Sequence, residues 1–501
     1  MEKIISRIRS WTSKHLSYVG HLQLIKSVLF SAQIYWTGLF ILPKSISQRI
    51  DQLLRTYLWS RTDTKLKGAK VSWEEITCPK QEGGLGIGRT DIWNKAMMAK
   101  HIWNICNKDC TSLWVNWVRT YLIRQHSFWD IPIPHSCSWT WRKFLQLRED
   151  IRPHIHYSVG DGSDTWLWFD AWLPFSPIIQ RFGEMIVYDS GLPRNARVTT
   201  IIQENHWQRP VTNSLDLLIL KQSIPSSMAP QITRRDGILW TPSPSGSFSV
   251  RSSWQTLRTR HSTIIWHTLV WFAMAIPKAG FILWMAIKGR LGTQDRLHLD
   301  SHSFICFLCD GQMDSHNHLF FYCCFATHIW KVLLTKCDIS YSPLVWMDNV
   351  THMVGLCRGK GLLVTIRKLC LAMAVYSIWN ERNSRLLDNS PRGANSVLWT
   401  IVDIFVAGLL LFETLQIMRT IDNFKQGGTS RRPSLVDVFL LDLSDLVGSE
   451  LFYFSITRVH RDVCTDFFFC WVSKEYIREK NVQGYKGRPP SRAKHKFTQW
   501  H

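Results

Sequence analysis

The sharpest set of side chains able to do defined chemistry lies in CFLCDGQMDSHNHLFFYC. Cys306 and Cys309 are two residues apart, His318 follows after eight more, and Cys323 after another four. Zinc prefers four tetrahedral thiolate or imidazole ligands, and a Cys-x-x-Cys turn presents two thiolates at the right bite. A His placed five residues before a Cys closes such a site from the start of a following helix. With four protein ligands and no open position, the Zn2+ expected there is structural rather than catalytic. His316 competes with His318 for the third position, and Cys324 competes with Cys323 for the fourth.

Other patterns carry less. GGLGIGRT (83 to 90) imitates a phosphate loop with Arg89 in the Lys position. CPKQE precedes it where a buried strand should lead in, so a turn is the better expectation. Thr293 and Asp295 in RLGTQDRL fit a helix cap with a carboxylate near the positive end of the helix. Twenty-six tryptophans could offer stacking faces, but most stand at helical or alternating positions among aliphatic residues, which favours core packing. HExxH, GxSxG and paired Asp residues are all absent from the sequence, so no catalytic residues are assigned.

The elements that must position these groups follow from periodicity. Apolar residues spaced by three and four predict helices over 16–36, 46–58, 92–122, 139–149, 362–387 and 395–419, with Pro43 ending the first. VGDGSDTWLWFDAW, with Trp166, Trp168, Asp170 and Trp172 alternating, predicts a hairpin at 159–172. ILWTPSPSGSFSV predicts a second one, with 238–240 pairing 248–250. Residues 189–237 read as a polar linker with a short helix near 214–221. The expected class is mainly α with small β-hairpins (α+β).

Sixty Lys and Arg face 38 Asp and Glu, a net charge of +22 that points to a polyanionic partner. Residues 1–70 hold twelve basic and three acidic residues, and 474–501 hold eight and two, so the two ends carry +15 of the total. Thirteen cysteines, an odd number without framework spacing, predict reduced thiols in the nucleus or cytoplasm. The first residues lack the apolar core of a signal peptide. The apolar stretches 263–277 and 404–412 fall short of the 18 residues a spanning helix needs, so no membrane partner is expected.

Seven motifs in order carry a resemblance: WTSKHLSYVGHLQLIKSVL, PKQEGGLGIG, VGDGSDTWLWFDAWLP, WTPSPSGSFSVRSSW, IPKAGFILWMAIKGRLGTQDRL, the Cys306 to Cys323 cluster, and IWNERNSRL. Over roughly residues 5–420 the chain resembles the C-terminal half of plant non-LTR (LINE-type) retrotransposon reverse transcriptases, including the reverse transcriptase zinc-binding domain. The resemblance implies a thumb-like basic helical segment at 1–90 and a Trp-rich connector at 91–235. The zinc-binding domain would take 236–335 and a helical C-terminal segment 336–426, leaving an unmatched, partly disordered basic tail at 427–501.

The resemblance also implies that thumb side chains meet the phosphates of RNA or DNA without reading sequence, and Arg7, Arg9, Lys14 and Lys26 are the candidates. His21 stands where the family has Arg, and Cys324 where it has Pro. The family's aromatic-x-Asp-Asp motif is missing, and no ribonuclease H carboxylate set follows the zinc cluster. The expectation is therefore a nucleic-acid-binding, zinc-binding remnant that is not an enzyme. Its alternative is a non-functional retroelement fragment or protein-interaction module with no nucleic-acid role.

Overall fold

The computed structural model describes residues 16–59, 69–175, 177–208, 214–225, 228, 230–297, 305–340, 342, 344–387 and 390–405. Arg7, Arg9, Lys14 and the tail 427–501 lie outside the described residues, as do 406–419 of the last expected helix. The chain forms two units. Of the described residues, one takes 16 and those within 24–79 and 84–262. The other takes 17–23, 80–83 and the described residues from Thr263 to Phe405. The division at 262 and 263 runs through the stretch 236–335 that the motifs mark. The description as mainly α with small antiparallel sheets holds.

In the first unit the helices Lys44–Trp59, Thr90–Cys106 and Trp139–Ile151 form where the apolar spacing places them. Ser138 caps the last by accepting from the Trp141 N–H at 3.2 Å. The stretch 107–112 interrupts the expected 92–122 helix, and a second helical piece follows as Leu113–Trp117 and a π-turn, Val118–Ile123. Their apolar faces meet a core rich in aromatics, in which Trp168, Trp172 and Trp240 are wholly buried. Burying a side chain of that size removes 150–250 Å² of surface from water. The buried tryptophans are therefore mainly structural.

Neither expected hairpin forms. Ile155–Ser158 pairs instead with Gly237–Trp240, antiparallel, with Ile155 opposite Trp240. The DGSDT turn wraps around one carboxylate, because Asp236 accepts from the N–H groups of Gly160, Gly162 and Asp164 at 2.6, 2.9 and 3.0 Å and from the Thr165 hydroxyl at 2.7 Å. Gly160 is required there, since a Cβ would strike the Arg234 carbonyl. Three N–H groups spent on a side chain cannot also build a ladder.

The second hairpin fails for a different reason. Ser249 and Ser252 form a capping box, so 250–257 is a helix rather than a returning strand. The hairpin that does form, Ile202–Gln203 with His206–Trp207, turns through Glu204 and Asn205 at φ 49° and 61°. Two left-handed residues in succession suit a two-residue hairpin turn. It lies in the expected linker, whose Ala196, Val198, Ile201, Leu217 and Leu220 are core residues, so 189–237 is not a linker.

GGLGIG is likewise a turn. The N–H groups of Gly84, Leu85 and Gly86 donate to Pro79, Ile76 and Cys78 carbonyls at 3.0, 3.0 and 2.9 Å, so these three are spent on the turn itself and not on a phosphate. A Cβ on Gly84 would collide with the Cys78 carbonyl.

The second unit contains the helices Pro277–Ile287, Cys324–Lys336, Trp346–Leu356 and Leu362–Leu387. The 26-residue Leu362–Leu387 is long and apolar enough to cross a membrane by length and composition. In the fold 61% of its most apolar window is buried, and it serves as a core helix.

Candidate metal centre

The Cys-x-x-Cys turn is built by backbone geometry. Ile305 and Met313 form an antiparallel bridge, and the Cys306 N–H donates to the Gln312 carbonyl at 2.7 Å. The chain reverses through Asp310 at φ 52°, whose N–H donates to the Cys306 carbonyl at 2.9 Å. Both sulfurs therefore leave the same side of a tight loop. His318 opens a single π-turn, His318–Tyr322, and the Cys323 N–H closes that turn on the His318 carbonyl at 2.7 Å. Cys323 then caps the helix Cys324–Lys336. A thiolate there faces the positive end of a 13-residue helix.

The four ligand atoms lie within 4.8 Å of one another. Cys306 Sγ is 4.0 Å from Cys323 Sγ, and Cys309 Sγ is 3.3 Å from His318 Nε2. Tetrahedral bonds of zinc length put S···S at about 3.8 Å and S···N at about 3.6 Å. The residues present therefore fit a tetrahedral ion. Hydrogen bonding from the Cys323 thiol draws Cys306 down to about 5. That same bond, with burial, pushes Cys323 up. Burial raises Cys309. Converging thiols and an imidazole suit a cation, whose binding would release thiol protons.

The two open choices in the spacing are resolved by placement. His316 is buried against Trp346 and Phe320, with ring centroids 4.5 and 5.0 Å away, and it is not in the cluster. Burial holds its imidazole down to about 4. Cys324 is exposed on the first turn of its helix. His318 and Cys323 are the ones that lie in the cluster.

Residues that sequence reasoning left without a role brace the turn. Arg385 donates to the Phe307 and Leu308 carbonyls, between the first two cysteines, at 3.2 and 3.1 Å. Glu381, wholly buried, accepts from Arg385 at 3.0 Å, from the Arg392 N–H at 2.7 Å and from its guanidinium at 2.9 Å. Asp314 accepts from Arg382 at 2.6 Å and from the Gln294 N–H at 3.1 Å. The carboxylate of Asp314 thus does the capping expected of Thr293, whose hydroxyl is buried without a partner. Glu381, Arg382 and Arg385 come from the IWNERNSRL motif, which is therefore the back wall of the metal turn.

Residues 248–330 match the family described as zinc-binding in reverse transcriptase. Over these residues the chain is similar to that family. The chain is also similar to a protein of Arabidopsis thaliana named as a ribonuclease H protein, with 29% identity over 351 residues, 66% of this chain and 54% of the relative. An uncharacterized mitochondrial protein of the same plant is 26% identical over 141 residues, 28% of this chain and 91% of its own. The chain thus spans about half the length of the first of these relatives. The resemblance to plant LINE-type reverse transcriptases holds. The bracing helix Leu362–Leu387 lies beyond the matched residues, so the contacts that hold the Cys-x-x-Cys turn come from outside the match.

Of the four thumb candidates only Lys26 is among the described residues. Its ammonium donates to the Leu85 carbonyl at 2.5 Å, which gives it an internal structural contact. His21, in the position of the family's Arg, is buried.

Proposed function

We propose that this chain is a nucleic-acid-binding, zinc-binding part of a LINE-type reverse transcriptase that does not itself polymerise. The observation that carries the reading is the Cys3His cluster of Cys306, Cys309, His318 and Cys323 within the reverse transcriptase zinc-binding match. Three soft thiolates and an imidazole select Zn2+ over Mg2+ or Ca2+, which prefer oxygen. Saturated by protein ligands, the ion fixes the loop and leaves no position for substrate.

The partner is the phosphate backbone of RNA or DNA, inside the cell. It is supported by the net charge of +22 and by the basic stretch that includes Arg7, Arg9 and Lys14. Contacts of that kind position a protein without reading bases. The polymerases this chain resembles hold their two metal ions with an Asp-Asp pair, and the sequence has none. For that reason polymerisation is not assigned to this chain.

Anisotropy titration of the full chain against labelled RNA and DNA at several salt concentrations tests the reading. Binding that weakens steeply as salt rises supports it. No binding even at low salt would favour an interaction module without a nucleic-acid role.

A further inference from the structure

One feature of the first unit plays no part in the metal centre. A groove of about 1570 Å³ runs beside the helical pieces Leu113–Trp117 and Val118–Ile123. Its volume exceeds the roughly 300–1,000 Å³ of small-molecule pockets, so it suits a segment of polymer. While most tryptophans are core residues, Trp114, Trp117 and Tyr121 stand at successive turns with 39, 51 and 61% of their surface exposed. The rings of Trp117 and Tyr121 are 5.8 Å apart and inclined by 37°, which makes a continuous aromatic shelf.

Charge identifies the occupant. Lys100 and Arg124 line the groove and are exposed, and among the described residues neither has an ionic partner. The carboxylate in the lining, Asp130, is already taken by Arg194 at 2.7 Å. The groove is therefore apolar and net positive. Arg124 also holds φ 57° and ψ −124°, a conformation costly for any residue but glycine and one that tends to persist at binding sites.

We propose that this groove binds single-stranded nucleic acid, with bases stacked on Trp114, Trp117 and Tyr121 and phosphates met by Lys100 and Arg124. The inference rests on the nucleic-acid reading above and adds where and how a strand is held. Aromatic faces beside cations bind strands with little sequence preference, because every base has a π-face. A duplex keeps its bases stacked on one another and cannot use the shelf.

The test uses the full chain, labelled twelve-residue oligo(U) and oligo(dT), and a duplex of equal length. Trp117→Ala with Tyr121→Ala should weaken both single strands by about 30-fold or more, with little change for the duplex and none in the salt slope. Trp117→Phe with Tyr121→Phe, which keeps the rings, should stay within about threefold of the parent. Lys100→Gln with Arg124→Gln should lower the single-strand salt slope by roughly 1.4.

A parent chain that binds no nucleic acid would end the functional reading and this proposal together. A parent that binds while the alanine pair binds single strands equally well would overturn the groove alone. So would a loss shared equally by the duplex. A fall from dimer to monomer in the alanine pair, with oligonucleotide binding intact, would reassign the shelf to self-association and also overturn the proposal.

Discussion

The Arg382 guanidinium lies 2.6 Å from the Asp314 carboxylate, with the two side chains only 2 and 0% exposed. Asp314 belongs to the loop between the second and third cluster residues, and Arg382 to a helix sixty-eight positions later. This buried pair joins the metal loop to the core helix. Removing one partner leaves a desolvated charge, which typically costs about 3–5 kcal/mol. Arg382→Ala should therefore lower unfolding stability by about that amount in denaturant titration, and weaken metal retention with it. A change below about 1 kcal/mol would show that water reaches the site.

Metal content separates the four cluster residues from their neighbours. The parent chain, reconstituted under reducing conditions, should hold one zinc, measured by elemental analysis. Cys306→Ser, Cys309→Ser, His318→Ala and Cys323→Ser should each lose most of it. Cys324→Ser should retain it, because Cys324 is exposed. Zinc below about a tenth of an equivalent in the parent would defeat the assignment, since a closed four-ligand site binds tightly.

Glu381 gives the fold an acid limit. Burial alone would raise its carboxyl, but the Arg392 N–H and the guanidinium groups of Arg385 and Arg392 hold it below the ordinary value of 4.5. A carboxyl lowered on folding stabilises the native state above its unfolded pKa, and that contribution is lost as pH falls through the folded value. Stability should therefore decline below pH 4.5. Glu381→Gln should start lower and lose less over the same range. An unchanged acid limb in that variant would argue against the pairing.

Lys26 should behave unlike the other basic thumb candidates. Its ammonium is spent on the Leu85 carbonyl, so Lys26→Gln should cost about 1 kcal/mol of stability, with no change in salt slope. Arg7→Gln, Arg9→Gln and Lys14→Gln together should lower the slope by roughly 2 if each meets a phosphate on a single strand. Anisotropy titrations across a salt series measure both. An unchanged slope in the triple variant would remove these residues from the interface.

The pure chain should extend no primed RNA template in magnesium or manganese. Extension would show that carboxylates separated in sequence assemble a two-metal site.

The sequence by itself determined several of the helices and the Cys306–Cys309 turn with a His and a Cys close behind it. Apolar periodicity is local, so Lys44–Trp59, Trp139–Ile151 and Leu362–Leu387 form where their spacing puts them. The cluster was legible because a Cys-x-x-Cys turn and a His-to-Cys step of five are short-range geometry. Tertiary structure alone decided the strand partners. Ile155–Ser158 meets Gly237–Trp240 across about eighty residues, while the carboxylate of Asp236 and the capping box at Ser249 withdraw the nearer candidates.

It also decided between His318 and His316, whose types and spacing are nearly equivalent. His316 turns into an aromatic cage and His318 toward the sulfurs. The bracing of the loop by Glu381, Arg382 and Arg385 could not be read from spacing, since charges on a helix look like a solvated face until the fold buries them. Burial is a property of the assembled chain. It turns those charges into structural partners, and the exposed Trp117 and Tyr121 into exceptions among aromatics whose neighbours are core.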